Sequence, residues 1–331
     1  MTQRRIDLFY HGYELHALDR PFGHVQSELR LKARTIYRGL RRRQLYTGFY
    51  TAFQNLRKGL VSLGMDVHVN DFAHARRNPS QPVGIAGYPG VYDRVRLPNP
   101  AIFGPGFVPP PHEVEAIGDR CNIKFFTAPS EWACKIWRPT LGNRVQPLFA
   151  PIILSDWPDM SHNAKTNDVL IYDKIRWQRD ALVPRIHGRL EAHLKRRGLT
   201  SQTLRYGAHH SDDFRAALGR SRAMVFLCEH ETQGLAYQEA MASGIPVLAW
   251  NEGRLIDPAE RRMAPADLVV SSVPYFDARC GMTFTEPQIE ERFDAFWGAL
   301  KDFRPRDYVE SELNAEKSAQ VYLNLLERAA G

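Results

Sequence analysis

The apolar positions of the chain fall into two periods. Short runs without polar alternation, clearest at residues 223–228 (AMVFLC) and again at 245–250, read as strands buried on both faces of a parallel sheet. Further strands are expected at residues 4–11, 66–69, 123–128, 169–172, 203–206 and 268–271. Between them apolar residues recur at helical spacing over 50–63, which Gly64 stops, and over 185–197 and 286–300. Ser130 caps a helix through Ile136, and residues 306–330 read as one long C-terminal helix. No run approaches the roughly 20 apolar residues needed to span a bilayer.

The segment joining the two clearest strands organises the rest. Its helix starts near Gly234 and closes where Gly244 supplies a left-handed residue, so residues 223–250 make one compact βαβ unit. Glu231 stands before this helix and Glu239 inside it, with seven residues between them. Glu231 therefore lies in the strand-to-helix loop beside the N–H groups of Gln233, Gly234 and Leu235, a place suited to an anion. Glu239 is five residues past Gly234, roughly 7.5 Å at about 1.5 Å per residue. Its charge would repel that anion, so it suits hydroxyls. A nucleotide sugar offers both, with a diphosphate for the helix start, ribose hydroxyls for Glu239 and a hexose for Glu231.

The stretch ETQGLAYQEAMASGIPVLA resembles the donor-site signature of GT-B glycosyltransferases, in particular the retaining group numbered family four. That signature runs Glu-x-Phe-Gly-Leu-x-x-x-Glu-Ala-Met-Ala-x-Gly-x-Pro-Val, and Gln233 stands in the place of its phenylalanine. The resemblance implies an α/β protein with two doubly wound, Rossmann-like lobes facing a central cleft. It implies transfer of a hexose from a nucleoside diphosphate sugar to a hydroxyl of a glycan or lipid-linked acceptor, with retained configuration and with neither metal nor cofactor. Glu239 would hold the ribose and Glu231 the hydroxyls of the transferring sugar. The family has Gly-Arg after the strand at 169–172 and a lysine five positions past the arginine, both on the diphosphate. Lys174 and Arg179 keep that spacing with the two basic types exchanged, Asp173 replaces the glycine, and Arg176 competes for the same role. Two such cations would neutralise the diphosphate as the glycosidic bond breaks.

Other positions follow from the same resemblance. Gly48, before the first helix, would let the backbone approach the donor, and Ala208, His209 and His210 occupy the loop that holds the nucleotide base. Asn99 and His112, in the proline-punctuated stretch after Gly90, are the polar candidates on the acceptor side. Ser211-Asp212-Asp213 is explained by a serine cap with acids in the first helical turn, not by a metal. The domains expected are an acceptor-side lobe at 1–154, a polar linker at 155–168, a donor lobe at 169–305 and a C-terminal helix at 306–331 returning to the first lobe.

Composition narrows this picture in three ways. A chain of 331 residues, 44% hydrophobic and 24% charged, fits two globular domains. Four cysteines, Cys121, Cys134, Cys228 and Cys280, show no paired spacing and suit reduced thiols in a cytoplasm. The net charge of +7 favours anionic partners, and much of it lies in an insertion at 12–45 carrying Arg30, Lys32, Arg34, Arg38, Arg41, Arg42 and Arg43. A basic amphipathic helix there would lie on an anionic membrane surface or hold an anionic acceptor, and the alternative is a solvated loop. No RNA-reading motif accompanies the charge. Cell-surface polysaccharide assembly is the setting this family implies. The competing functions are a sugar-nucleotide epimerase of the same architecture and a non-catalytic subunit that binds nucleotide sugar.

Overall fold

The computed structural model describes residues 4–11, 29, 32, 33 and 48–331. The basic insertion otherwise lies outside the described residues, and with it the expected membrane-binding helix. Among the described residues no helix is long and apolar enough to cross a membrane. The chain divides into two compact units, one taking the described residues up to Pro151 together with Ala315–Gly331 and the other Ile152–Asn314.

In the first unit β1 (Arg5–His11), β2 (Asp66–Val69), β3 (Val83–Gly87), β4 (Ala101–Gly106), β5 (Ile123–Ala128) and β6 (Val145–Pro147) form one sheet in the order β2-β1-β3-β4-β5-β6. Every pairing is parallel. Continuous burial of β1, β3 and most of β4 accounts for the absence of polar alternation in their sequences. The stretch holding β4 looks like loops because Pro105 and two glycines punctuate it. It is a strand all the same, since Gly106 lies so close to β3 that a Cβ there would sit 2.4 Å from the Gly87 carbonyl oxygen. The Gly48–Ser62 helix and the Ala315–Ala330 helix cover the sheet, Phe53, Leu56 and Leu60 of one joining Tyr322, Leu323 and Leu326 of the other in a single core.

In the second unit β7 (Asn167–Asp173), β8 (Ser201–Arg205), β9 (Ser221–Leu227), β10 (Val247–Trp250) and β11 (Gly281–Phe284) are again all parallel, in the order β11-β10-β9-β7-β8. The chain leaves β7 to one side for β8 and returns to the other for β9. The carboxyl ends of β7 and β9 are therefore a topological switch point, where open α/β sheets bind ligands.

Three expectations are corrected. Residues 155–168 are no free linker but pack on the second unit: Trp157 is buried edge-on to Phe214, and the Met160 N–H donates to the Ser243 carbonyl at 2.9 Å. The long C-terminal helix is two, Pro305–Glu312 and Ala315–Ala330, broken where the Leu313 carbonyl accepts from the Ile152 N–H at 2.9 Å instead of continuing the helix. Residues 268–271 form no strand, and the edge position beside β10 goes to β11.

Candidate functional site

At the switch point the residues following β9 take hold of the loop following β7. Three consecutive residues grip it in three ways. The Glu229 carboxylate accepts the N–H groups of Arg176 at 2.9 Å and Trp177 at 3.0 Å. The His230 ring stacks on Trp177 with 4.9 Å between centroids, and its carbonyl accepts from Arg176 Nη2 at 2.5 Å. Glu231 pairs with Lys174, Oε1 to Nζ 2.5 Å, with Arg176 Nη2 at 3.9 Å. Glu229, His230 and Glu231 are all buried by this packing, so the loop's cations are held in place by fixed partners.

The charges respond accordingly. Burial pushes the Glu231 carboxyl up, but Lys174 and Arg176 together outweigh it and hold the group below the ordinary carboxylate range. Burial works to lower the Lys174 ammonium, and Glu231 overcomes that and raises it. The His230 imidazole is driven down to about 4 by burial and by Arg176, so it is neutral near pH 7. Its Nε2 accepts from the Asp257 N–H at 3.2 Å.

The helix that follows is Leu235–Ala242, with Gly234 before it in a left-handed conformation, φ 79°. A side chain at 234 would be strained there and would also place its Cβ 2.1 Å from the Tyr237 ring. The Gly234 and Leu235 N–H groups find no partner among the described residues. Gln233 is buried with its amide donating to Gln238 Oε1 at 2.8 Å, while Gln238 Nε2 donates back to the Gln233 carbonyl at 2.9 Å. The exchange of phenylalanine for Gln233 is thus met by a buried amide partner on the next turn.

Glu239 differs from its neighbours. Its carboxylate has neither hydrogen-bond nor ion-pair partner among the described residues, although the residue keeps part of its surface open. Burial pushes it up to about 8, and the charges of Arg215 and Lys174 only partly oppose this. A largely buried acceptor group without a donor among the described residues, on a residue that keeps some surface open, is suited to ligand hydroxyls.

The remaining sequence candidates fare unequally. Arg179 is not beside Glu231. Its guanidinium makes a bidentate pair with buried Asp173, at 3.0 and 2.7 Å, so the acid that replaces the family's glycine neutralises it. Arg176 stands beside Glu231 in its place. His209 is buried edge-on to Tyr172, its Nε2 3.2 Å from the tyrosine hydroxyl, and props the loop from within. In the first unit Asn99 is a correction: it is fully buried, its amide nitrogen donates to the carbonyls of Ala75, Asn78 and Gln81, which ties a turn, and its Oδ1, without a partner among the described residues, is out of reach of an acceptor. His112 is exposed on the Pro111–Arg120 helix, 3.2 Å from Glu113. Gly48 opens the Gly48–Ser62 helix with open space where a Cβ would be, so packing does not require glycine there. The helix at Ser211–Arg220 is capped by His210 with Asp213 in a reciprocal box, one residue earlier than the serine. No group of three or more His, Cys, Asp or Glu among the described residues is placed to hold a metal ion.

The sequence reading missed Glu229 and His230. Their signal was available, as Glu-His-Glu closing an unbroken apolar strand puts three polar side chains where burial is certain. It also missed Glu260, whose Oε2 is buried without a partner among the described residues and whose carboxyl burial pushes up to about 7.

No family model matches the sequence, and no curated protein matches it. Solved structures do. AviGT4, a glycosyltransferase involved in avilamycin A biosynthesis, superposes with a TM-score of 0.52 at 12% identity over 86% of this chain and 90% of its own. Sucrose-phosphate synthase from Thermosynechococcus elongatus gives 0.52 at 12% identity over 98% and 99%. The lipopolysaccharide outer core galactosyltransferase WaaB gives 0.50 at 10% identity over 98% and 99%. These likenesses concern the fold: two parallel-sheet α/β units of the GT-B type, as the resemblance of the 231–249 stretch implied.

Proposed function

We propose that the chain is a glycosyltransferase whose second unit binds a nucleoside diphosphate sugar at the ends of β7 and β9. The observation that carries this is the contrast at one helix start: two fixed cations and the N–H groups of Gly234 and Leu235 on one side, and the Glu239 carboxylate five residues along on the other, the N–H groups and the carboxylate without partners among the described residues. An anion and a set of hydroxyls on one ligand meet both demands. Glu239 accepts from the ribose, and Lys174 with Arg176 takes the diphosphate. Arg176 assumes this role because Asp173 already neutralises Arg179. Glu231 orients Lys174 and accepts from the transferring hexose.

In the reaction the bond between the anomeric carbon and the β-phosphate oxygen breaks, and the acceptor oxygen bonds to that carbon on the same face. The electron pair stays on the leaving diphosphate, which takes the acceptor's proton, while Lys174 and Arg176 neutralise its growing charge. Retention, a hexose donor, independence from metal, and a glycan or lipid-linked acceptor are parts of this proposal that the family resemblance supports.

The test begins with thermal shifts against UDP, GDP, ADP and their sugar conjugates, since a ligand of the folded state raises apparent stability. One of these series should raise the melting temperature, and hexose transfer from the matching donor should fall by about a hundredfold or more in Lys174→Ala and Glu231→Ala. A chain stabilised by none of them is no nucleotide-sugar enzyme. Conversion of the donor to free nucleotide and an altered sugar without any acceptor would point to the epimerase instead.

A further inference from the structure

Tyr206 directly follows β8 and is one of few large apolar side chains left open among the described residues, with 47% of its surface exposed. An exposed aromatic ring at the carboxyl edge of a sheet does nothing for the core, and on a solvated loop it would ordinarily be free to move. This ring is held. Lys174 Nζ lies over it, 4.3 Å from the centroid, and that ammonium is in turn fixed by Glu231 at 2.5 Å. The Tyr206 N–H donates to the Asp173 carbonyl at 2.9 Å, which ties the backbone beneath it to the end of β7. A chain of contacts therefore runs Glu231, Lys174, Tyr206, from the end of β9 across β7 to the end of β8.

We infer that Tyr206 is the stacking platform for the donor's nucleobase. This rests on the reading of Lys174 as a diphosphate ligand. A flat aromatic group fits a ring that is rigid, half open and already engaged by a cation, because stacking on it costs no further ordering of the protein. The ligand bound at Lys174 carries its base on the side away from its sugar. Glu231, Lys174 and Tyr206 follow β9, β7 and β8, which are successive neighbours in the sheet, so the sugar and the base are assigned opposite ends of that row. Stacking is tolerant of base identity, so Tyr206 contributes affinity and hydrogen bonds elsewhere set the choice of base.

Isothermal titration on the full chain tests this, using UDP, GDP and ADP, with inorganic pyrophosphate measured by competition. For whichever nucleotide the wild type binds most tightly, Tyr206→Ala should weaken binding about tenfold or more, the usual worth of one base stacked on an aromatic ring. Tyr206→Phe should stay within about twofold, because the ring and not the hydroxyl does the stacking. Pyrophosphate, which has no base, should bind all three proteins alike. Unchanged nucleotide binding in Tyr206→Ala overturns the inference and leaves the glycosyltransferase reading intact. Equal losses for nucleotide and pyrophosphate also overturn it, since the ring would then only steady Lys174. A wild type that binds none of the three diphosphates sinks the underlying reading and this one together.

Discussion

Among the described residues each unit contains a cluster of charged groups built around a buried acid, and the cluster around Asp7 differs from that around Glu231 in how completely it is satisfied. In the first unit Asp7, with 1% of its side chain exposed, meets Arg5 Nη2 at 2.7 Å, His74 Nδ1 at 2.8 Å and Gln81 Nε2 at 3.4 Å. Arg5 continues to Asp71 at 2.6 Å. In the second unit Lys174, Glu231 and Arg176 are paired in the same way, yet Glu239 nearby has no partner among the described residues and its carboxyl is driven up to about 8. The first network is closed and sits near the start of β1. The second has acceptor capacity to spare and sits at the carboxyl ends of its strands. Burial of charge alone does not single out a functional site; buried charge left incomplete at a sheet's carboxyl edge is what supports the site proposed in the second unit.

The largest expected effect comes from opening the second network. Lys174→Ala should lower transfer by about a hundredfold to a thousandfold, the usual consequence of removing a group that stabilises developing negative charge. It should also destabilise the fold by about 3–5 kcal/mol, because Glu231 is left buried without its main counter-ion. A double variant, Lys174→Met with Glu231→Leu, should recover most of the melting temperature and none of the activity. If the single variant keeps wild-type transfer, the second cluster is as purely structural as the first.

Opening the first network should give the reverse result. Asp7→Ala should cost about 3 kcal/mol in urea unfolding, at the low end for a broken buried pair since Arg5 keeps part of its side chain in water. Nucleotide affinity of the folded protein should not change, and a loss of affinity would erase the distinction drawn between the two clusters.

Glu239 sharpens the comparison through pH. Its pKa in the folded chain, about 8, lies above the ordinary 4.5. The stability linked to its proton is therefore fully present below about pH 4.5 and is lost as pH rises through 8. Without nucleotide, Glu239→Gln should melt progressively higher than wild type as pH is raised from 5 to 9, and above about pH 8, where the wild-type group is ionised, it should bind nucleotide about tenfold more weakly through loss of a charged acceptor. A melting difference that stays flat with pH would show that this carboxylate is paired in solution.

The smallest effect separates the two arginines. Arg176→Ala should weaken nucleotide binding several-fold more than Arg179→Ala, whose main consequence is to strip Asp173 of its partner and lower stability. The opposite ranking in a titration would restore Arg179 to the diphosphate.

The sequence alone determined the central βαβ unit, the two glutamates on either side of the helix start, and the glycines at 234 and 244, both of which take positive φ, 79° and 75°. These are local matters, since hydrophobic period and backbone conformation are written in consecutive residues. The tertiary structure decided the rest. Gln178 turns left-handed, φ 49°, between the two arginines, and Arg179 closes back onto Asp173 while Arg176 goes to the residues that follow β9. Trp157 converts an apparent linker into part of the second unit, and Asn99 spends its amide on three backbone carbonyls. Which charge meets which partner, and which is left without one, depends on groups brought together across strands, and no spacing along the chain encodes that.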